Sequence, residues 1–201
     1  MGLFDRVRQL LGVGAEAAAT RDADPEDLFG MSTAYVTMEA ELGYAPAGTA
    51  ALCFSDVDST SFRDTVAEVR EILDASAEEM GTVAEFHEDE YGYQWIVLQA
   101  SDPEALVTSV HFAADTLIER GYGSRLLAAL FTFERSDQKV YWVYSFRRGA
   151  YYPFAPQAGH ERDSGTEFKL DSVLDGELGI EPDKEYWYPL WPSRSGAHPW
   201  E

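Results

Sequence analysis

Between Ala50 and Phe146 the chain alternates short apolar runs with amphipathic helical periods, and turn residues mark each change of period. This alternation restricts the fold more than any other feature of the chain. Ala50 to Phe54 is a short apolar run bounded by turn residues, which predicts a buried strand. Ser59 or Ser61 then caps a helix whose apolar face is Phe62, Val66, Val69, Ile72 and Leu73. Val83 to His87 and Tyr93 to Leu98 flank a polar turn and predict a hairpin. Asp102-Pro103-Glu104 opens a second helix, with Leu106, Val110, Leu117 and Ile118 inward and Gly121 at its end. Leu126 to Phe133 and Val140 to Phe146 predict a second hairpin. The order is strand, helix, two strands, helix, two strands. It predicts an α+β fold with a mostly antiparallel sheet, in which a strand-helix-hairpin unit occurs twice and the helices share one face.

The flanks differ from this middle. Residues 1–12 place Leu3, Phe4, Val7, Leu10 and Leu11 at helical spacing, an amphipathic terminal helix, and residues 13–25 are a flexible acidic linker rich in Gly, Ala, Thr and Asp. Asp24-Pro25-Glu26 suits a helix start, while the stretch from Leu28 to Leu42 fits helix and strand alike. Residues 26–201 are expected to form one domain. It includes a Pro- and aromatic-rich extension, 149–201, with a helix from Thr166 to Leu178 and a tail lying over an apolar sheet face.

Charge narrows the partners. The chain has 36 acidic and 15 basic residues, a formal charge of -21. Only Lys139, Lys169 and Lys184 are lysines, and the carboxylates are spread along the whole chain. A surface this acidic repels itself unless counterions are concentrated, which points to a salt-rich cytoplasm. With 45% hydrophobic and 13% aromatic residues the chain can bury a core, which sets it apart from disordered acidic chains. No basic cluster is large enough to neutralise a run of phosphates, so nucleic acid is not an expected partner. Residues 1–12 escape the acidification: they carry +1, leaving -22 on the rest. A segment so spared suits an anionic or apolar surface, which gives the expected location as cytoplasmic, with peripheral contact at the inner face of the membrane.

Motifs for chemistry are few. No phosphate-binding loop is present, and the four histidines lack metal-ligand spacing, so neither cofactor nor metal is expected. Cys53 lies between Leu52 and Phe54 in a predicted buried strand and reads as a core thiol. His111 reads as an interior or boundary histidine of its helix. The most site-like grouping is Arg147, Arg148, Tyr152, Arg162 and Asp163, which gathers scarce arginines beside aromatics. It could receive a small-molecule or nucleotide-like ligand, an enzyme's substrate included; the simpler use is pairing with Glu161, Asp163 or Glu181 to pin the tail.

Five stretches carry a family resemblance: Met1 to Asp5, Tyr91-Gly92-Tyr93-Gln94-Trp95, Gly121-Tyr122-Gly123, Arg148 to Pro156, and Glu181-Pro182-Asp183 with Trp187, Pro189 and Trp191. In order and spacing the chain resembles the PspA-associated protein B (PspAB) family, as a haloarchaeal-type member; its main departure is a longer acidic linker from Val13 to Asp24. The resemblance implies an accessory or adaptor role in the phage-shock membrane-stress response, with a PspA-like coiled-coil protein as partner, and carries no catalytic residues.

Overall fold

The computed structural model describes residues 24–89 and 91–191. Asp24 opens them as a cap: its carboxylate accepts the Glu26 N–H at 3.0 Å and starts a 3-10 turn, Pro25–Phe29. Helix α1, Gly30–Leu42, follows, and Met31, Ala34, Tyr35, Met38 and Leu42 form its buried stripe. Strand β1, Ala45–Ser55, begins five residues before the apolar run that announces it. Its early part pairs irregularly with its neighbour, and Gly48 sits at φ +72 where a Cβ would come within 3.1 Å of the Ala100 carbonyl. Only glycine suits that bend, so the sequence there has no strand signature.

Helix α2, Thr60–Met80, starts where Ser59 Oγ accepts the Phe62 N–H at 3.1 Å. Strands β2, Val83–Glu88, and β3, Tyr93–Gln99, form the expected hairpin. Helix α3, Pro103–Glu119, is capped by Asp102. Strands β4, Leu126–Arg135, and β5, Gln138–Ser145, are longer than the apolar runs that predict them, so the turn between them shrinks to Ser136-Asp137. Beyond them come β6, Ala150–Phe154, a small hairpin of β7, Pro156–Gln157, and β8, Glu161–Arg162, and helix α4, Ser164–Leu174.

The six-stranded sheet runs β2-β3-β1-β4-β5-β6, each neighbouring pair antiparallel. β1 and β2 are both antiparallel to β3, hence parallel to one another, and α2 carries the chain across the place that β3 fills. In the same way α3 spans from β3 to β4 over β1. These are two interlocked split βαβ units, the ferredoxin-like arrangement. The α+β class holds, with α1 to α4 on one face. The stretch read as an extension from residue 149 is corrected in its first part: β6 is the sixth strand of the sheet. Pro153 is tolerated because β6 lies at the edge.

Both faces are buried, because β1, β3, β4 and β5 alternate apolar residues to each side. Leu52, Phe54, Ile96, Leu98, Phe131 and Trp142 face the helices; Ala51, Cys53, Trp95, Val97, Leu130 and Val143 face the other way. Within the helix-side core, Tyr35 lies against Phe133 at 4.9 Å, and its hydroxyl is buried without a hydrogen-bond partner. Burial, and secondarily Glu104, pushes that phenol far up. Because an unsatisfied buried hydroxyl costs roughly 1–3 kcal/mol, Tyr35→Phe is expected to leave stability unchanged or raise it by about 1 kcal/mol. A urea midpoint well below that of the parent chain would mean that the hydroxyl has a partner.

Candidate functional site

The predicted docking residues Leu3, Phe4, Val7, Leu10 and Leu11 lie outside the described residues. The second predicted grouping, Arg147, Arg148, Tyr152, Arg162 and Asp163, lies wholly within them, at the junction of β5, β6, α4 and the tail.

The turn that reverses β5 into β6 presents Arg148 inward, and its side chain is 9% exposed. Its Nε donates to Glu181 Oε2 at 2.7 Å, and its guanidinium lies 3.8 Å from the centre of the Tyr186 ring. The hydrogen bond to Glu181 is the main cause that holds the arginine's proton more firmly than usual. The other carboxylate oxygen of Glu181 accepts the Asp183 N–H, so the pair also fixes the turn leading into the tail. Arg147 is half-buried in the same turn.

Arg162 is a second hub. Its Nε donates to Glu167 at 2.8 and 3.0 Å, one terminal nitrogen donates to the Trp187 carbonyl, and the other to the Pro153 carbonyl at 3.3 Å. One guanidinium thus joins α4, β6 and the tail. Asp163 is the cap of α4: it accepts the Thr166 N–H at 3.0 Å and the Thr166 hydroxyl at 2.8 Å, and these bonds, the backbone one foremost, lower its pKa. Tyr152 is buried in the far-side core, where burial pushes its phenol up. Arg148 and Arg162 therefore meet carboxylates of the same chain, and Asp163 holds a helix end. The geometry serves the tail-pinning use of these side chains.

Sequence reasoning missed Glu167, the partner of Arg162. The cap at Asp163 was the available signal, since it starts α4 early enough to turn Glu167 inward on the first turn. Burial dominates at Glu167 and holds its carboxyl above the ordinary value of 4.5, against Arg162 and the Ala155 N–H, which both act to lower it. A carboxyl raised in the folded state contributes stability that is complete below its unfolded pKa and is lost as pH rises through its folded one. The stability of the parent chain relative to Glu167→Gln is therefore expected to fall as pH rises from 4.5 through the mildly acidic range. Paired urea titrations across that range measure it, and a difference that grows with pH would contradict the sign.

Trp187, Tyr188, Leu190 and Trp191 pack on the far face of the sheet. Trp187 Nε1 donates to the Glu181 carbonyl at 2.9 Å, and Trp191 meets Phe154 edge-on at 5.0 Å. The tail covers an apolar face, as its aromatic content predicts.

A cleft of about 220 Å³ opens beside this junction, lined by Glu26, Asp27, Tyr144, Tyr151, Glu177 and the glycines around them. The Tyr144 hydroxyl donates to Asp27 at 3.1 Å and that of Tyr151 to the Leu28 carbonyl at 3.2 Å. Its acidic lining repels anions, and none of the five grouped side chains lines it. Cys53 is fully buried and its thiol is pushed up by burial, so it behaves as a core residue. His111 is a boundary histidine: Nε2 lies 3.1 Å from Glu26 Oε1, and Nδ1 is buried without a partner. Among the described residues, no helix is long and apolar enough to cross a membrane.

No curated protein and no solved structure matches the chain. The model of one family does, over residues 1–200, which is nearly its whole length, and the described motifs from Tyr91 to Trp191 fall inside that match. The chain belongs to the PspA associated protein B family.

Proposed function

We propose that this protein is an accessory of PspA in the membrane-stress response, and that it engages PspA through the apolar stripe of its first 12 residues. The family match over residues 1–200 carries the association with PspA. The stripe supplies a means: Leu3, Phe4, Val7, Leu10 and Leu11 are spaced for one helical face on a segment of charge +1, while the remaining residues, linker included, carry -22. Such a face lays itself into an apolar groove between partner helices. Its cationic flank also suits the inner membrane surface, which would place the protein at that surface in the cytoplasm.

A ligand site at Arg147, Arg148, Tyr152, Arg162 and Asp163 has less in its favour, since Arg148 and Arg162 already meet Glu181 and Glu167. The test is co-purification in molar salt with the full chain and with a Leu3→Asp/Val7→Asp/Leu10→Asp variant. The variant is expected to lose PspA while keeping the parent's circular dichroism. Retention of PspA by the variant overturns the docking claim, and loss of vesicle binding with PspA retained assigns the stripe to the membrane instead.

A further inference from the structure

We infer that β2 is the seat of a two-fold dimer: its open edge pairs antiparallel with the β2 edge of a second copy, about an axis through Phe86, and joins two six-stranded sheets into one. The two edges of the sheet are finished differently. At β6, the Tyr151 N–H donates to the Gly179 carbonyl and the Tyr151 carbonyl accepts the Glu181 N–H, both at 2.8 Å, so the start of the tail closes that edge. Among the described residues β2 has one strand neighbour, β3. The Asp89 N–H donates to the Tyr93 carbonyl, which sets the phase of the hairpin. Val83, Glu85 and His87 therefore bond to β3, and the N–H and C=O groups of Ala84, Phe86 and Glu88 point outward. Bulges and charged side chains usually guard such an edge. Here the register to β3 is unbroken, and the strand opens on Val83, a large apolar side chain 58% exposed.

The helix above this edge is spared acid on the same side. α2 carries six carboxylates and two arginines. Two contacts fix its rotation: the Arg70 guanidinium lies 3.8 Å from the centre of the Phe86 ring on β2, while Glu68 pairs with Arg120 at the end of α3. At 3.6 residues per turn the flank on the β2 side holds Arg63, Val66, Ala67, Arg70, Asp74 and Ala77, and the other five carboxylates fall elsewhere. A flank of arginine, apolar and small side chains with one acid is what a chain of charge -21 needs to meet its own copy.

Of the registers open to the outward groups, the one centred on Phe86 pairs residues 84–88 of both copies and gives every outward N–H and C=O of that stretch a partner. It sets Glu85 opposite His87 of the second copy, twice, at non-hydrogen-bonded positions where side chains approach most closely. Within one copy His87 Nε2 lies 3.2 Å from Glu85 Oε2, so the two pairs close into one cluster across the axis. A centre on Ala84 or Glu88 pairs fewer residues. A centre on Glu85 sets two carboxylates face to face.

Sedimentation equilibrium of the full chain in molar salt, where repulsion between copies is screened beyond roughly 3 Å, is expected to give a dimer. A monomer at every concentration up to the millimolar range overturns the proposal. Ala84→Pro removes an outward N–H and no bond to β3, as Pro153 does at the other edge, and is expected to give a monomer with the parent's circular dichroism. A dimer that survives Ala84→Pro in a folded chain overturns the proposal too. Cross-linking decides independently of that variant. A mixture of Glu85→Cys and His87→Cys chains, oxidised with copper phenanthroline, is expected to form about tenfold more disulfide-linked dimer than either chain alone. Facing non-hydrogen-bonded Cα atoms stand about 4.5 Å apart, whereas either residue and its own copy stand about 7–8 Å apart, too far to bridge. Cys53, at 0% exposure, stays out of the reaction. Equal yields from the mixture and from the single chains overturn the register and the proposal with it.

Discussion

Arg148→Ala is expected to lower stability by roughly 3–5 kcal/mol, the usual result of removing one member of a buried ion pair. The reason is what it leaves behind. Glu181 is 3% exposed and its Oε2 has Arg148 Nε as its hydrogen-bond partner at 2.7 Å, so truncation strands a carboxylate in a place water hardly reaches. Glu181→Ala should also be destabilising, since it removes the carboxylate that Arg148 Nε meets, although stacking on Tyr186 offsets a little of the loss. The double variant Arg148→Met/Glu181→Leu removes both charges and keeps apolar volume. It should recover most of the loss, because a buried pair is worth little over well-packed hydrophobes. Urea titrations of the four chains form a mutant cycle with a coupling of more than about 1 kcal/mol. Singles that cost under about 1 kcal/mol would show a pair that behaves as if solvated, and would remove Arg148 from the account of how the tail is held.

Much of the fold could be read from the chain because local signals agreed with the tertiary solution. Ser59 and Asp102 cap the helices that their spacing predicts, and both hairpins fall where turn residues separate apolar runs. What was hidden had a competing local signal. The first half of β1 contains Pro46 and Gly48, which mark a bend in the strand as readily as a loop. Tyr151-Tyr152-Pro153-Phe154 reads as tail because proline is rare in strands, yet at a sheet edge its missing N–H costs no ladder bond. Helix α4 stops at Leu174, short of the Leu178 expected, since Asp175 turns extended and Gly176 follows at φ +95. Helix α1 was ambiguous because its stripe mixes Ala34 with Met31 and Met38, a weak apolar signal that gains meaning only against Trp142.

The arginine grouping was legible as a cluster and not as a wiring diagram. Composition shows that arginines are scarce and adjacent to aromatics. The choice of Glu181 over Glu161 for Arg148, across 33 residues, is made by β6 pairing with β5 and by the bridge from Tyr151 to Ile180. Arg162 finds Glu167 because the Asp163 cap sets the phase of α4. The first partner is decided by a strand that the sequence reads as tail, and the second by a cap that starts α4 ahead of the expected Thr166.

Trp187→Ala is expected to cost roughly 3–5 kcal/mol, the range for deleting a buried aromatic side chain. Trp187 is 4% exposed and contributes to the far-side core. Its ring also meets Lys184 at 3.9 Å and Phe168 at 6.4 Å, so its removal leaves a cavity between tail and α4 as well as an unmatched Glu181 carbonyl. The backbone contact from Arg162 to the Trp187 carbonyl survives the substitution in principle, which makes the experiment a test of packing against wiring. Trp187→Phe separates the contributions further: it keeps most of the apolar area and loses the indole donor, at an expected cost of about 1–2 kcal/mol. If alanine costs no more than phenylalanine, the indole N–H holds the tail and the ring merely fills space. If alanine is tolerated within about 0.5 kcal/mol, as exposed surface substitutions are, the tail is not an integral cover of the sheet. The expected order, alanine well below phenylalanine and phenylalanine below the parent chain, follows from an aromatic that bridges the tail and α4 while its ring is buried in the far-side core.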